Sequence, residues 1–287
     1  GDITLSGDVG TYGDLDAAFA VVDYDDDNAR EALLAIGDDN NVAVRSLAYN
    51  LGSNAVEWSA VGTSYELGAA DVAYDDFTGD GHDDLVVLSD EGSVRVYDVV
   101  ANNLLYDRPG AFAAASDVAV ANLDGDGMAE IIATIDNRVV VFSRTSTGFA
   151  ITATSAQFVG LAAMEVTDID GDGATDIFVL YNDWSQPGPR LARLDRFLLS
   201  RGEAALGQAA TDMTTERSSF VRKNLVFWNS DFTSDLFAAD PISGATVWQA
   251  PRFSGFIGPD SVRYHDLAGN GNWSISVGSS PGITLTR

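Results

Sequence analysis

The sequence predicts an all-β fold, a β-propeller of four-stranded blades, and three observations carry that expectation. An oxygen-rich loop recurs at a near-constant interval, each repeat divides into four short strand-like runs, and the two chain ends together supply one further repeat. Four stretches align without gaps in the loop: VVDYDDDNAREALLAI from Val21, AYDDFTGDGHDDLVVL from Ala73, VANLDGDGMAEIIAT from Val120 and VTDIDGDGATDIFVL from Val166. Their first loop positions are Asp23, Asp76, Asn122 and Asp168, so the intervals are 53, 46 and 46 residues. Repeats of about 40–50 residues mean a solenoid or a propeller. Six such units fit a chain of 287 residues.

The units justify the strands in turn. In unit one, apolar runs flank the loop at Asp23 and GDDN (37–40) makes the next turn; unit two repeats this with DEG (90–92). Unit three shows all four strands, SDVAVANL, EIIATI, RVVVFSR and FAITATS, with DN at 136–137 as a two-residue hairpin signal. A meander of four short strands is the unit of a propeller blade. Unit four opens at Asp168 and runs into the least repetitive stretch, residues 182–260. Two degenerate loops follow. LVFWNSDFTSDLFAAD from Leu225 keeps only Asn229, Asp231 and Asp235, and VRYHDLAGNGNWSISVG from Val262 has Asp266 first but Ala268 and Ser274 at positions three and nine. Neither is expected to hold metal.

The last unit supplies three strands, SVRYHD, WSISVG and ITLTR, while DITLS at the start belongs to no unit. Lending that strand to the last blade closes the ring and leaves no open edge. The expectation is one domain over residues 1–287, of six blades, with seven blades or a truncated larger array as alternatives. Helical repeats are excluded, because no window sustains a 3.6-residue period.

Composition bounds the function. The chain is 46% hydrophobic with 28 glycines, which suits a packed core of short strands and turns. Forty-three acidic against 16 basic residues give a net charge of −27, which argues against nucleic acid or an anionic membrane as partner. No apolar run approaches a membrane span. With no cysteine, there is neither disulfide nor thiolate metal site. Gly1 follows no basic, apolar leader and reads as a processed or excised start.

The loop has the form D-x-D-x-D-G-x-x-D, with side-chain oxygens at positions 1, 3, 5 and 9 and a carbonyl at 7. Hard oxygen donors in that number favour Ca²⁺ over Mg²⁺ or zinc. Site one is then Asp23, Asp25, Asp27 and Glu31 with the Ala29 carbonyl; site two is Asp76, Thr78, Asp80 and Asp84 with that of His82. Site three is Asn122, Asp124, Asp126 and Glu130 with the Met128 carbonyl; site four is Asp168, Asp170, Asp172 and Asp176 with that of Ala174. Gly at position six permits a positive-φ turn, and Asn28 fills that slot in site one. The loops are not EF-hands, whose twelfth position needs Glu, because Leu34, Val87, Ala133 and Val179 stand there. At about tenfold excess over Kd each ion adds roughly 1.4 kcal/mol, so about four ions rival a domain's net stability. Calcium is therefore expected to be structural.

These loops, each between two strands of a repeat near 46 residues, resemble the FG-GAP/VCBS repeats of integrin-α-type β-propellers, with partial echoes at QFVGLAAMEVTD (157–168) and GFIGPDSVRYHD (255–266). The resemblance implies an extracellular, calcium-binding propeller serving adhesion or glycan recognition, secreted or at the cell surface, within a larger surface protein.

If calcium sits between the first and second strands, the second-to-third and inter-blade loops lie on the opposite face. Those loops are NDWSQPGPR (182–190), DRPGAF (107–112), TSYELG (63–68) and APRFSGF (250–256). Trp184, Tyr65, Phe112, Phe253, Arg108, Arg190 and Arg252 thus become candidates to line a glycan or protein site. Trp58, Trp228, Trp248 and Trp273 fall in strands or at their ends and read as core. No hydrolase, metalloprotease, nucleotide-binding or dinucleotide motif stands out, and His82 and His265 both lie in acid loops, so a nucleophilic triad has no base. A binding or adhesion module is the favoured reading, over a polysaccharide lyase or a structural spacer. Catalysis by this chain is left open and not expected.

Overall fold

The computed structural model describes residues 16–22, 31–38, 41–50, 55–60, 69–98, 101, 103–110, 113–169, 172–215, 225–228, 236–249, 256–265, 274–280 and 282–286. Among them every regular element is a strand. The first unit, Gly1–Ala115, holds two antiparallel sheets. One is β1 (Asp16–Val22), β2 (Glu31–Asp38), β3 (Asn41–Asn50) and β4 (Ala55–Ala60); the other is β5 (Ala69–Asp75), β6 (Asp84–Ser89), β7 (Val94–Asp98) and β8 (Asn103–Arg108). Each is a simple meander, and β1 lies alongside β5.

The second unit, Ser116–Arg287, repeats the design. Its first sheet is β9 (Ala115–Ala121), β10 (Glu130–Ile135), β11 (Arg138–Thr145) and β12 (Gly148–Thr154). Next come β13 (Leu161–Thr167), β14 (Asp176–Tyr181), β15 (Arg190–Leu194) and β16 (Ser200–Ala205), then β17 (Asp212–Thr215), β18 (Leu225–Trp228), β19 (Leu236–Ala239) and β20 (Thr246–Gln249). The last described sheet has three strands, β21 (Phe256–His265), β22 (Ser274–Ser280) and β23 (Gly282–Thr286), as the sequence led us to expect. The N-terminal strand assigned to complete it lies outside the described residues.

The sequence pattern explains which strands are buried. In β14, Ile177 and Val179 join Ile132, Val141 and Met164 in one core layer, while Phe178 and Leu180 join Phe227, Phe237 and Met213 in another. Alternate side chains point to opposite faces, so a strand buried on both reads as an unbroken apolar run. The same holds for β6 and β10, whose residues are all buried, whereas β12 and β20 are mostly exposed. The fourth strands β8, β12, β16 and β20 are each more exposed than the third strand beside them. Trp248, expected in the core, therefore stands half exposed on β20. The DN turn at 136–137 has both residues at positive φ, 54° and 55°, which is the hairpin conformation its composition predicts.

The stretch from 182 to 260 is more regular than its composition suggests, since it builds β15 to β20. One assignment changes. The oxygen-rich segment 229–235 joins the second and third strands of its sheet, β18 and β19, whereas the acid loops join first and second strands. It is out of phase with them and is not a decayed copy. Phe227 and Phe237 are cross-strand partners with stacked rings 5.3 Å apart, so this apolar pair brackets a hairpin turn.

Candidate metal loops and their surroundings

Two acid loops fall wholly among the described residues, between β5 and β6 and between β9 and β10, and a third, between β13 and β14, does so apart from residues 170 and 171. Their sixth-position glycines, Gly81, Gly127 and Gly173, have φ of 89°, 92° and 86°. That is the conformation the sequence assigned to this slot, and only glycine adopts it cheaply. The first-position side chain then gathers the loop's amides. Asp76 Oδ1 accepts from the backbone N–H of Gly79 at 2.6 Å, and Oδ2 accepts from that of Gly81 at 2.9 Å. Asn122 Oδ1 accepts from Gly125 N–H at 2.7 Å, and Asp168 Oδ2 from Gly173 N–H at 2.9 Å.

The ninth-position acid is the buried one. Asp84 is 2% exposed, and its Oδ2 accepts from the Phe77 and Thr78 amides at 2.8 and 2.9 Å. Glu130 is 4% exposed and accepts from the Leu123 amide at 2.8 Å. Among the described residues neither forms an ion pair. Burial pushes the Asp84 carboxyl up to about 6; the two amides oppose this, and Asp98 and Asp80 add to it. Burial likewise raises Glu130, with Asp124 and Asp126 acting in the same sense. Asp76 goes the other way: burial works to raise it, but the Gly81, Gly79 and Asp80 amides outweigh that and hold it low.

Loop three gathers its donors most tightly. Oxygens of Asp124, Asp126 and Glu130 lie within 4.8 Å of one another. Calcium–oxygen bonds of about 2.3–2.6 Å place two ligands of one ion up to about 5 Å apart, so these three fit a single Ca²⁺. Loop two offers the same donor chemistry through Asp76, Thr78, Asp80 and Asp84. Loop four differs at its ninth position, where Asp176 Oδ1 accepts from Arg193 Nε at 2.8 Å. Arg193 reaches it from β15, where it pairs with Phe178, two residues beyond Asp176. Such diagonal cross-strand neighbours share a face. Counting the register back from the 182–189 loop exposes this contact; motif reading does not. Asp170 of loop four and Asp23, Asp25, Asp27 and Ala29 of loop one lie outside the described residues, as does the side chain of Glu31.

Within the second unit, the 182–189 loop, an inter-sheet segment and the β10–β11 turn are joined by backbone hydrogen bonds. The inter-sheet segment 155–160 bonds to the β10–β11 turn through Phe158 N–H and the Asn137 carbonyl at 2.8 Å. Asn182 N–H, from the β14–β15 loop, donates to the Gly160 carbonyl at 2.8 Å. Trp184 stands on that loop 85% exposed. Arg108 donates from Nη1 to the Gly92 carbonyl, and Arg190 pairs with Glu203, which also accepts from the Tyr181 hydroxyl. These two arginines thus have structural partners. Tyr65, Phe112, Arg252 and Phe253 lie outside the described residues.

Four-stranded meanders whose first and second strands are joined by an oxygen-rich loop define a repeat protein of the β-propeller kind. Residues 76–133 and 122–179 match the FG-GAP-like repeat family, so the chain carries FG-GAP-like repeats over its central part. No curated protein matches the chain in sequence at a significant level. Solved structures share the fold at low identity. Sqt1 from Saccharomyces cerevisiae is 11% identical with a TM-score of 0.65, over 88% of this chain and 68% of that one. BBS1N, solved in complex with ARL6DN, is 13% identical with a TM-score of 0.67, over 98% and 81%. A chain of the mitotic checkpoint complex is 13% identical with a TM-score of 0.61, over 90% and 71%.

Proposed function

We propose that the chain is an extracellular, calcium-stabilised β-propeller that serves as a binding module for a protein partner. In this reading six blades close into one domain, the N-terminal strand joining the last blade. About four ions are held, by Asp23, Asp25, Asp27 and Glu31 in loop one, by Asp76, Thr78, Asp80 and Asp84 in loop two, by Asn122, Asp124, Asp126 and Glu130 in loop three, and by Asp168, Asp170, Asp172 and Asp176 in loop four. The carbonyls at position seven complete each set. The single observation that supports calcium best is Glu130: a buried carboxylate, without an ion pair among the described residues, beside two further carboxylates. Such a group is costly to bury ionised unless a cation compensates it.

The partner reading rests on the fold. Rigid meanders presenting loops at both edges suit recognition, and two of the similar structures come from protein complexes. Trp184 favours a glycan as a second reading, because an exposed indole on a sheet-edge loop can stack on a sugar ring. The extracellular assignment rests on loops of the kind that bind Ca²⁺ at roughly 10⁻⁴–10⁻³ M, a range that extracellular fluid supplies.

Calorimetric titration of the EDTA-stripped chain with CaCl₂ tests the metal, with MgCl₂ as control. Uptake of several Ca²⁺ ions, accompanied by a rise in melting temperature, is expected. Absence of heat up to about ten times the weak end of that affinity range would sink the proposal.

A further inference from the structure

The β14–β15 loop, residues 182–189, carries an indole that packing does not account for. Trp184 is the most exposed of the large apolar side chains among the described residues. The loop that holds it is tied down at both ends. Asn182 N–H bonds the inter-sheet segment at the Gly160 carbonyl, and Leu206 N–H, just past β16, donates to the Pro189 carbonyl at 3.0 Å. Between them Asp183 closes a turn: its carbonyl accepts Gln186 N–H at 2.8 Å, and its Oδ1 accepts Ser185 N–H at 2.9 Å. An aromatic ring on a braced turn loses little freedom on binding, and indole is among the side chains that dominate binding energies.

The charges around that loop have one sign to spare. The connected segments are residues 182–190, residues 155–160 and the β10–β11 turn with Arg138. Their charged residues are Asp136, Arg138, Asp183 and Arg190, and Glu203 joins them from β16. Both cations are engaged, because Arg138 donates from Nη1 to the Ser155 carbonyl at 3.0 Å and Arg190 pairs with Glu203. Three carboxylates thus stand against two guanidinium groups. The Ser185 hydroxyl and amide hold the Asp183 carboxyl below its ordinary value, with Arg190 acting in the same sense, so it is ionised at neutral pH.

The wider field has the same sign. The chain carries a net charge of −27, and divalent ions in all four acid loops would still leave it strongly negative. Such a field concentrates cations at the surface and speeds their encounter. The face of an indole is the best aromatic platform for a cation, and a planar guanidinium stacks on it as well as being attracted to it.

We infer that Trp184 and Asp183 form a docking point for a basic, arginine-bearing segment of a protein partner, with a guanidinium stacked on the indole and its charge set against the Asp183 carboxylate. This rests on the protein-partner reading given above and is independent of the calcium. A sugar ring can stack on the same indole, but a neutral ligand gains nothing from the surrounding field.

Fluorescence anisotropy with a labelled peptide of alternating Arg and Gly tests this at physiological salt. Its Gln counterpart is the control, and a neutral cello-oligosaccharide is titrated by calorimetry. The Arg peptide is expected to bind, and to weaken about tenfold in the Gln counterpart and in Trp184→Ala, with a smaller loss in Trp184→Phe. Trp248→Ala, which removes another exposed indole, should leave binding unchanged. All three variants keep the wild-type charge, so general attraction to an acidic chain predicts no difference among them. Trp184 lies at the surface, and thermal unfolding of each variant checks that the fold is kept. Equal binding by wild type and Trp184→Ala, equal binding of the Gln counterpart, or no binding of the Arg peptide overturns this inference and leaves the protein-partner reading standing. Preference for the oligosaccharide, lost in Trp184→Ala, overturns both in favour of a glycan.

Discussion

Asp84→Asn should stabilise the metal-free protein and destabilise the calcium-loaded one. Asp84 Oδ2 takes both the Phe77 and Thr78 amides, so an asparagine carbonyl oxygen in that place keeps both bonds while removing the buried charge. A carboxyl whose pKa rises from 3.8 to about 6 on folding opposes folding once it is ionised. The raised value means the folded state binds the proton more tightly, so the penalty is absent below about 4, grows between about 4 and 6, and is complete above. Two pKa units correspond to at most about 3 kcal/mol, and relaxation of the loop reduces that to roughly 1–3 kcal/mol. For a chain of 287 residues the gain is about 2–5 °C in melting temperature. Thermal unfolding followed by circular dichroism in EDTA should therefore rank the variant above wild type at pH 7, with the gap closing towards pH 4. On the calcium reading proposed above, the ranking should reverse in excess calcium, because an ionised carboxylate binds the cation better than an amide. A variant less stable than wild type in EDTA at pH 7 would refute the account of Asp84 as a buried charge awaiting a cation.

Three further substitutions probe other levels of the structure. Gly160→Ala should cost about 2 kcal/mol or more by urea denaturation, because φ is 67° and a Cβ would meet the Asn182 carbonyl oxygen at 2.5 Å; Gly127→Ala, with open space around it, should cost about 1 kcal/mol. Phe227→Ala should cost about 3–5 kcal/mol by the same measure, since its fully buried ring stacks on Phe237. Arg193→Met should tighten calcium binding at loop four about tenfold by calorimetry while lowering metal-free stability, because it removes the guanidinium that Asp176 now accepts from.

What was legible in the sequence was local. The positive-φ glycines and the 136–137 hairpin depend on neighbours within a few residues, and each stands where the motif placed it among the described residues. What escaped depends on pairing across strands. The run LVFW–polar–LFAA looks alike whether it joins first and second strands or second and third, and only the presence of β17 ahead of it settles the phase. Arg193 is 17 residues from Asp176 and belongs to no loop motif, yet the β14–β15 register sets it diagonally across from that carboxylate. Trp248 was misplaced for a related reason: burial in such a sheet follows strand order more closely than side-chain hydropathy, and β20 is the fourth strand.

Position nine is where loop chemistry and core packing meet. Asp84, Glu130 and Asp176 are the first residues of β6, β10 and β14, the second strands of their sheets and the most completely buried. This is the physical reason that each acid loop turns abruptly apolar: its last acid is also the first residue of a core strand. A cation at that carboxylate would hold the start of the strand and the turn before it in one geometry. A metal-free loop would instead leave an uncompensated charge against the core, except in loop four, where Arg193 takes part of that role. The three loops share a backbone but not a counter-ion, so loss of calcium should loosen the strands beginning at Asp84 and Glu130 before the one beginning at Asp176. Amide hydrogen exchange in EDTA would read that order directly, through earlier loss of protection at Leu85 and Ile131 than at Ile177.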